Sequence, residues 1–243
     1  MAKEVWRPGN MLYPLPCVLV SCADTKGNKN MLTVAWTGTV CSDPAMVYVS
    51  VRKERHSYKM IEETGEFVIN LTTEKLARAT DFAGVRSGKN LDKAEVLNLS
   101  WEPTQTLTYA PAIAQSPVNI ECKVTEAKDL GSHTMFLALV TSVSVDDAFI
   151  DEAGTFKLNE AGLITYCHGS YRSLGKKLGT FGWSVQKRKK KQKDIKGRSA
   201  AKRPGATQLS HGSKSSKGQK RPGGRLSKPM KTKTKPKDRR HNR

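Results

Sequence analysis

Along the first 150 positions, apolar residues recur mostly at every second position, in short runs bounded by Gly, Pro, Asn and Asp. Period two marks β-strands; an amphipathic helix would repeat every three or four residues. Residues 15–22 (LPCVLVSC) are β-branched and apolar, and the turn-rich ADTKGNKN separates them from a second strand at 31–37 (MLTVAWT). Asp43-Pro44 breaks the chain before 46–52 (MVYVSVR), where Val47, Val49 and Val51 share one face and Met46, Tyr48, Ser50 and Arg52 the other. Residues 66–71 (EFVINL) form a fourth strand. Residues 118–124 (VNIECKV) place Val118, Ile120, Cys122 and Val124 on one face. Residues 134–145 (TMFLALVTSVSV) are apolar on both faces over their first half, as expected of a strand deep in a closed sheet.

Two short helices fit between the early strands. Ser57 is placed to cap one running to about Glu63, with Met60 and Ile61 inward and Gly65 ending it. Thr73 is placed to cap a second, with Leu76, Ala79 and Phe82 on one side and Gly84 as its stop. Regular helices of 10–15 residues do not separate the strands, which disfavours a parallel sheet. The pattern predicts a mainly β chain, an antiparallel barrel with helical decorations, as one domain over residues 1–185.

Charge divides the chain. Of its 42 Lys and Arg, 23 fall in residues 186–243 beside only Asp194 and Asp238, which leaves residues 1–185 with 19 basic and 20 acidic side chains. The basic segment has no Phe, Tyr or Trp, so it cannot build a core and is expected to be a disordered tail. Without aromatic platforms it can read only phosphates, which predicts nucleic-acid binding without sequence preference; a solubilising tail or an anionic membrane contact are the other readings. No apolar run approaches the roughly 18–20 residues of a membrane span, and the N-terminus lacks a secretory apolar core. Five cysteines, an odd number without a CxxC pair, argue against a disulfide framework or a zinc knuckle and for reduced thiols in the cytoplasm, each a small buried hydrophobe.

Catalytic signatures are absent: no GxSxG, HExxH, P-loop or GxGxxG. No metal site is expected, because the nearest candidate pair, Cys167-His168, is adjacent in sequence and geometrically poor. The most suggestive stretch is Ser50-Val-Arg-Lys-Glu-Arg-His-Ser57. There a strand delivers Arg52 and a helix opens at Ser57, so N–H groups and cationic side chains converge as in a phosphate cradle; an ordinary solvated loop is the plain alternative. Asn30, Thr33, Trp36 and Thr37 cluster on and beside a strand and are candidates to line a flavin-sized pocket, although Trp36 equally suits a core. Gly131-Ser-His133 is a turn into the longest strand, where His133 is a candidate catalytic residue or, more plainly, a structural hydrogen-bonder.

Taken in order, the segments NMLTVAWTGTVCSDPAMVYVSVRKERHSY (30–58), GEFVINLTTEKLARATDFAGVRSGKNLDK (65–93), APAIAQSPVNIECKV (110–124), LGSHTMF (130–136) and AGLITYCHGSYRSLGKKLGTFGWSV (161–185) resemble the flavin reductase-like family of flavoredoxin-type FMN-binding split barrels. The resemblance implies a six-stranded antiparallel split barrel of Greek-key type that forms a homodimer, with non-covalent FMN at the interface. It implies that Trp36, Thr37 and Gly38 line the isoalloxazine and ribityl chain, and that Ser50, Val51 and Arg52 approach the ring edge. Arg55, Ser57 and Tyr58 would meet the phosphate, and Gly84, Ser87 and Lys93 would close over the flavin. His133 matches a position facing a nicotinamide or second flavin, with Tyr166 and His168 weaker candidates for that face. Ala83 stands where many relatives carry Cys. The implied function is an FMN-dependent oxidoreductase fed by NADH, NADPH or a reduced protein. A non-catalytic electron carrier or sensor, and a nucleic-acid-associated protein tethered by its tail, are the alternatives.

Overall fold

In the computed structural model, which describes residues 1–186, the expected second strand is longer than its pattern suggested and is bent in the middle. The basic segment, from residue 187 onward, lies outside the described residues. In chain order the elements begin with β1 (Leu15–Pro16), β2 (Val18–Ala23), β3 (Lys29–Val34), β4 (Thr37–Ser42), β5 (Ala45–Arg52), α1 (His56–Thr64) and β6 (Glu66–Leu71). They continue with α2 (Ala77–Val85), α3 (Lys93–Leu97), β7 (Trp101–Glu102), β8 (Ala112–Ile113), β9 (Val118–Asp129), β10 (His133–Val145), β11 (Ile164–Cys167) and β12 (Ser170–Ser173).

One antiparallel sheet runs β3-β2-β6-β9-β10-β5-β4. Its two edges, β3 and β4, are consecutive halves of one strand, interrupted only by Ala35 and Trp36, so the sheet returns to where it began. Counted as one bent strand, they give the expected six-stranded barrel. Across the bend the Ser50 N–H donates to the Trp36 carbonyl at 2.8 Å. Alternate residues fill the interior: Val18, Val20 and Cys22 from β2, Leu32 and Val34 from β3, and Val47, Val49 and Val51 from β5. Phe67, Ile69, Cys122, Phe136 and Ala138 complete the ring, and Met60 and Ile61 of α1 pack onto it. Burying each of the Val, Leu, Ile, Phe and Met side chains among them contributes on the order of 1.5–3 kcal/mol. A second cluster lies on the other face of β2 and β3, where Leu19 and Met31 meet Ala83 of α2, Ala94 of α3 and Ile113 of β8.

Several local expectations are revised. Arg55, not Ser57, occupies the cap position of α1, and it makes no side-chain cap bond; Ser57 lies inside the first turn, where its hydroxyl accepts from Asn30 Nδ2 at 2.8 Å. Gly65 does end α1, at φ 66°, with its N–H on the Ile61 carbonyl. Thr73 precedes a 3-10 turn over Glu74–Leu76 without a side-chain cap bond. Gly84 sits within α2 and does not stop it: a Cβ there would lie 3.2 Å from Thr33 Cβ, so the missing side chain allows close helix–strand packing. β10 is buried on one face only, through Thr134, Phe136 and Ala138, while Met135, Leu137 and Leu139 are half-buried on the outside. The pattern missed α3, capped by Asp92, and the small sheet β1-β11-β12. Cys17, Cys22 and Cys122 are buried, Cys41 and Cys167 are partly exposed, and all five are free thiols. Among the described residues there is no His/Cys/Asp/Glu group fit to hold a metal, and no helix is long and apolar enough to cross a membrane.

Two buried carboxylates hold the irregular segment 104–110 against the barrel. Glu121 accepts from the N–H groups of Gln105 and Thr106, both at 2.8 Å, and Glu66 accepts from Thr108 at 3.0 Å and Tyr109 at 2.7 Å. Removing such an acceptor strands buried N–H groups. Glu66→Ala is therefore expected to lower the unfolding free energy by roughly 2–4 kcal/mol in urea titrations. A change below about 0.5 kcal/mol, the scale of an ordinary surface substitution, would contradict this role.

Candidate functional site

Beside the bend, the barrel wall opens into two adjoining cavities of about 520 Å³ and 290 Å³, which share Leu32, Arg55 and Val85 as lining residues. The wider one is within the range of roughly 300–1,000 Å³ usual for small-molecule sites. Of the residues singled out in the sequence, Thr33, Trp36, Ser50, Val51, Arg52, Arg55, Gly84, His133 and Tyr166 line the wider cavity. Asn30, Arg55, Ser57, Ser87 and Lys93 line the narrower. β5 turns Val47 and Val49 into the core, and its C-terminal end delivers the consecutive residues Ser50, Val51 and Arg52, from both faces, to the cavity.

Four of the expected residues line neither cavity. The Thr37 hydroxyl donates to the Tyr48 carbonyl at 2.6 Å, and Gly38 lies under the Tyr48 ring, which an added Cβ would approach to 3.2 Å. Tyr58 packs on Phe136 with ring centroids 5.5 Å apart and bonds through its hydroxyl with Glu62 and Thr134. His168, at φ 46° in the β11–β12 turn, meets Tyr13 edge-on at 5.7 Å. Conversely, Asn10, Cys17 and Tyr171 line the wider cavity and His56 and Gly88 the narrower, and sequence reasoning singled out none of them. Tyr171 stood inside the resembling segment 161–185, but no period or motif separates it from its neighbours.

The narrower cavity is cationic and rich in donors. Lys93 is only 5% exposed; its ammonium donates to the Met31 carbonyl at 2.7 Å and the Ala83 carbonyl at 2.8 Å. An ammonium carries three hydrogens, so one remains to be used. Burial, reinforced by the Arg55 guanidinium, lowers its pKa to about 8. Burial, with Lys89 and Lys93 nearby, likewise holds the His56 imidazole below its ordinary value. Arg55 donates to the Gly84 carbonyl at 2.8 Å, tying the loop before α1 to α2. The α1 N-terminus adds unpaired N–H groups and the positive end of the helix dipole. Gly88 passes so near Asn30 that a Cβ would stand 2.2 Å from Asn30 Oδ1. The lining carboxylate, Glu54, is exposed and paired with Arg52 at 3.4 Å.

The wider cavity has an aromatic wall. The Trp36 and His133 rings lie nearly parallel, 12° apart with centroids 6.2 Å from one another, and His133 Nδ1 is 2.9 Å from the Ser132 hydroxyl. Burial and the nearby Arg52 hold the His133 pKa below its ordinary value, which favours the neutral, stackable ring. A donor set of this kind suits a phosphate monoester, and the adjoining aromatic space suits a planar ring.

The family model of the flavin reductase like domain matches residues 10–175. A protein of Archaeoglobus fulgidus is 30% identical over 151 residues, spanning 62% of this chain and 84% of its own, and one of Pyrococcus abyssi is 29% identical over 150 residues, spanning 61% and 85%. Among solved structures, flavoredoxin of Desulfovibrio vulgaris (Miyazaki F) superposes with a TM-score of 0.70 at 28% identity, covering 76% of this chain and 100% of that one. The FMN-binding protein from Thermus thermophilus with bound 1-cyclohex-2-enone shares the fold, with a TM-score of 0.61 at 20% identity and coverage of 74% and 98%.

The repulsion between Arg55 and Lys93 is directly measurable. Arg55→Ala removes a neighbouring positive charge, so the Lys93 amine is expected to titrate above its value of about 8, as followed by NMR of isotope-labelled, unmodified lysines. An unmoved or lowered midpoint would contradict the arrangement.

Proposed function

The chain belongs to the flavin reductase like domain family, and from that membership we propose that it is an FMN-dependent oxidoreductase. The observation that carries this reading is the cationic 290 Å³ niche opening onto an aromatic-walled cavity of 520 Å³. The donor set fits FMN. Lys93, Ser57 and the first N–H groups of α1 hold the phosphate, with Arg55 where the two cavities meet. Ser50 and Arg52 reach the edge of the ring system, and Trp36 supplies an apolar surface for it. When bound, FMN supplies the hydride and electron chemistry. The chain's own work is to bind, orient and exclude water, so it needs no dedicated general acid or base. His133 serves the second substrate, with NADH, NADPH or a reduced protein as donor.

A homodimer fits the outer face of β4, β5 and β10. There Val40 is exposed, and Met46, Tyr48, Leu137 and Leu139 are half-buried in cross-strand register. The free thiols suit a cytoplasmic setting. A non-catalytic FMN carrier or sensor would use the same site without turnover; bleaching of the flavin by NADH or NADPH, with electrons passed to an acceptor, separates the two.

Purified protein is expected to be yellow with releasable FMN. Lys93→Met and Ser57→Ala should weaken FMN more than riboflavin, which lacks the phosphate. A charge-assisted bond contributes about 1.5–3 kcal/mol, so roughly ten- to a hundredfold is expected for Lys93. Only a protonated Lys93 attracts phosphate, and binding raises its pKa. FMN affinity should therefore hold between about pH 7 and 8, where the phosphate is a dianion, and fall by up to about tenfold per pH unit above that, while riboflavin affinity changes little. Equal losses for both flavins, measured by fluorescence titration, would contradict the phosphate assignment.

The segregation of charge favours a second activity for residues 186–243, binding to nucleic-acid phosphates. Truncation after Val185 should leave the flavin spectrum unchanged and abolish RNA shifts at low salt. The full chain's affinity should fall with a log–log salt slope of about −0.7 per phosphate neutralised. Loss of FMN on truncation would show that the tail belongs to the flavin domain.

A further inference from the structure

The small sheet β1-β11-β12 contributes a wall of the wider cavity in which Tyr171 has no task in the flavin reading. Tyr166 and Tyr171 are paired across β11 and β12, with ring centroids 5.8 Å apart at 61°, and both line the cavity. Tyr13 extends the aromatic row, 6.1 Å from Tyr166. The Tyr171 hydroxyl bonds to Asp81 Oδ1 of α2 at 3.1 Å. A phenol has one hydrogen, and a carboxylate can only accept. The hydrogen of Tyr171 is thus committed to Asp81, and the lone pairs of its oxygen remain. Burial, and then the bond to Asp81, raise the Tyr171 pKa well above the usual phenol range, so the group stays neutral. The neighbouring Cys17 thiol, also lining the cavity, is pushed up to about 12 by burial and by Asp81, so it too is uncharged.

We propose that Tyr171, oriented by Asp81, is a specificity-determining acceptor that selects a second substrate whose planar ring bears an N–H or O–H donor. The proposal rests on the flavin-dependent reading above for what that substrate does. The aromatic row gives a flat ring its contact surface, and the phenol oxygen distinguishes a carboxamide or hydroxyl substituent from a ketone or ether of the same shape. The donor-bearing ring has two sources, a nicotinamide nucleotide or a hydroxyaromatic acceptor.

The test is calorimetric titration of the FMN-loaded full-length chain with two matched pairs, nicotinamide against 3-acetylpyridine and phenol against anisole. In at least one pair the donor-bearing member should bind about three- to tenfold more tightly, the scale of one neutral hydrogen bond, and the discriminating pair identifies the source. Tyr171→Phe should level that pair while keeping the flavin band. Asp81→Ala removes the acceptor that holds the phenol hydrogen, which should then serve the acceptor-only member and raise its affinity. Equal affinities within both pairs in the wild-type chain, or discrimination that survives Tyr171→Phe, would overturn the proposal. If the wild-type chain takes up no FMN, the proposed function fails, and the same ratios measured on the flavin-free chain decide the role of Tyr171 separately.

Discussion

The bend at Ala35–Trp36 lets one strand pair at both ends of the sheet, and the rest of the molecule depends on it. An open sheet leaves two rows of unpaired N–H and C=O groups, and closure removes them. Here β3 pairs with β2 and β4 with β5, so the chain that starts the sheet also ends it. The Ser50 N–H bond to the Trp36 carbonyl holds the two halves where the ladder is interrupted. That interruption also makes the site. Residues on either side of it, Thr33, Trp36 and Ser50, line the wider cavity, and α2 packs beside β3 through the bare Gly84.

Electrostatics then sort the two cavities. Lys93 is buried against two carbonyls, near a second cation and beyond the reach of a carboxylate partner among its described bonds. Such a group is costly for the fold alone and favourable once an anion arrives, which supports the phosphate role proposed for it. The wider cavity, beside the Arg52 and Arg55 guanidiniums at its edge, adds flat and uncharged surfaces: Trp36, a His133 biased toward its neutral form, Tyr166 and Tyr171. A phosphate-bearing aromatic ligand matches this division; a wholly apolar or wholly ionic one does not.

Much of this was legible in the sequence because strand period and burial coincide. Val47, Val49 and Val51 point inward as their alternation required, and residues 66–71 form a strand with the expected limits. Failures fall where chemistry competes with pattern. Ser57 reads as a helix cap, but Asn30 claims its hydroxyl from 27 positions away, and no local rule anticipates that bond. Gly84 reads as a helix stop and instead serves proximity. Met135, Leu137 and Leu139 read as interior because they are apolar, yet they lie on the outer face. Tyr171 and Asp81 are 90 positions apart, so their pairing is set by tertiary structure alone.

The most direct measurement is a crystal structure of the chain with FMN. The account predicts phosphate oxygens within about 3 Å of Lys93 Nζ and Ser57 Oγ, with the ring system in the wider cavity beside Trp36. A phosphate lodged against Arg52 in the wider cavity, leaving the Lys93 niche filled only by solvent, would contradict it.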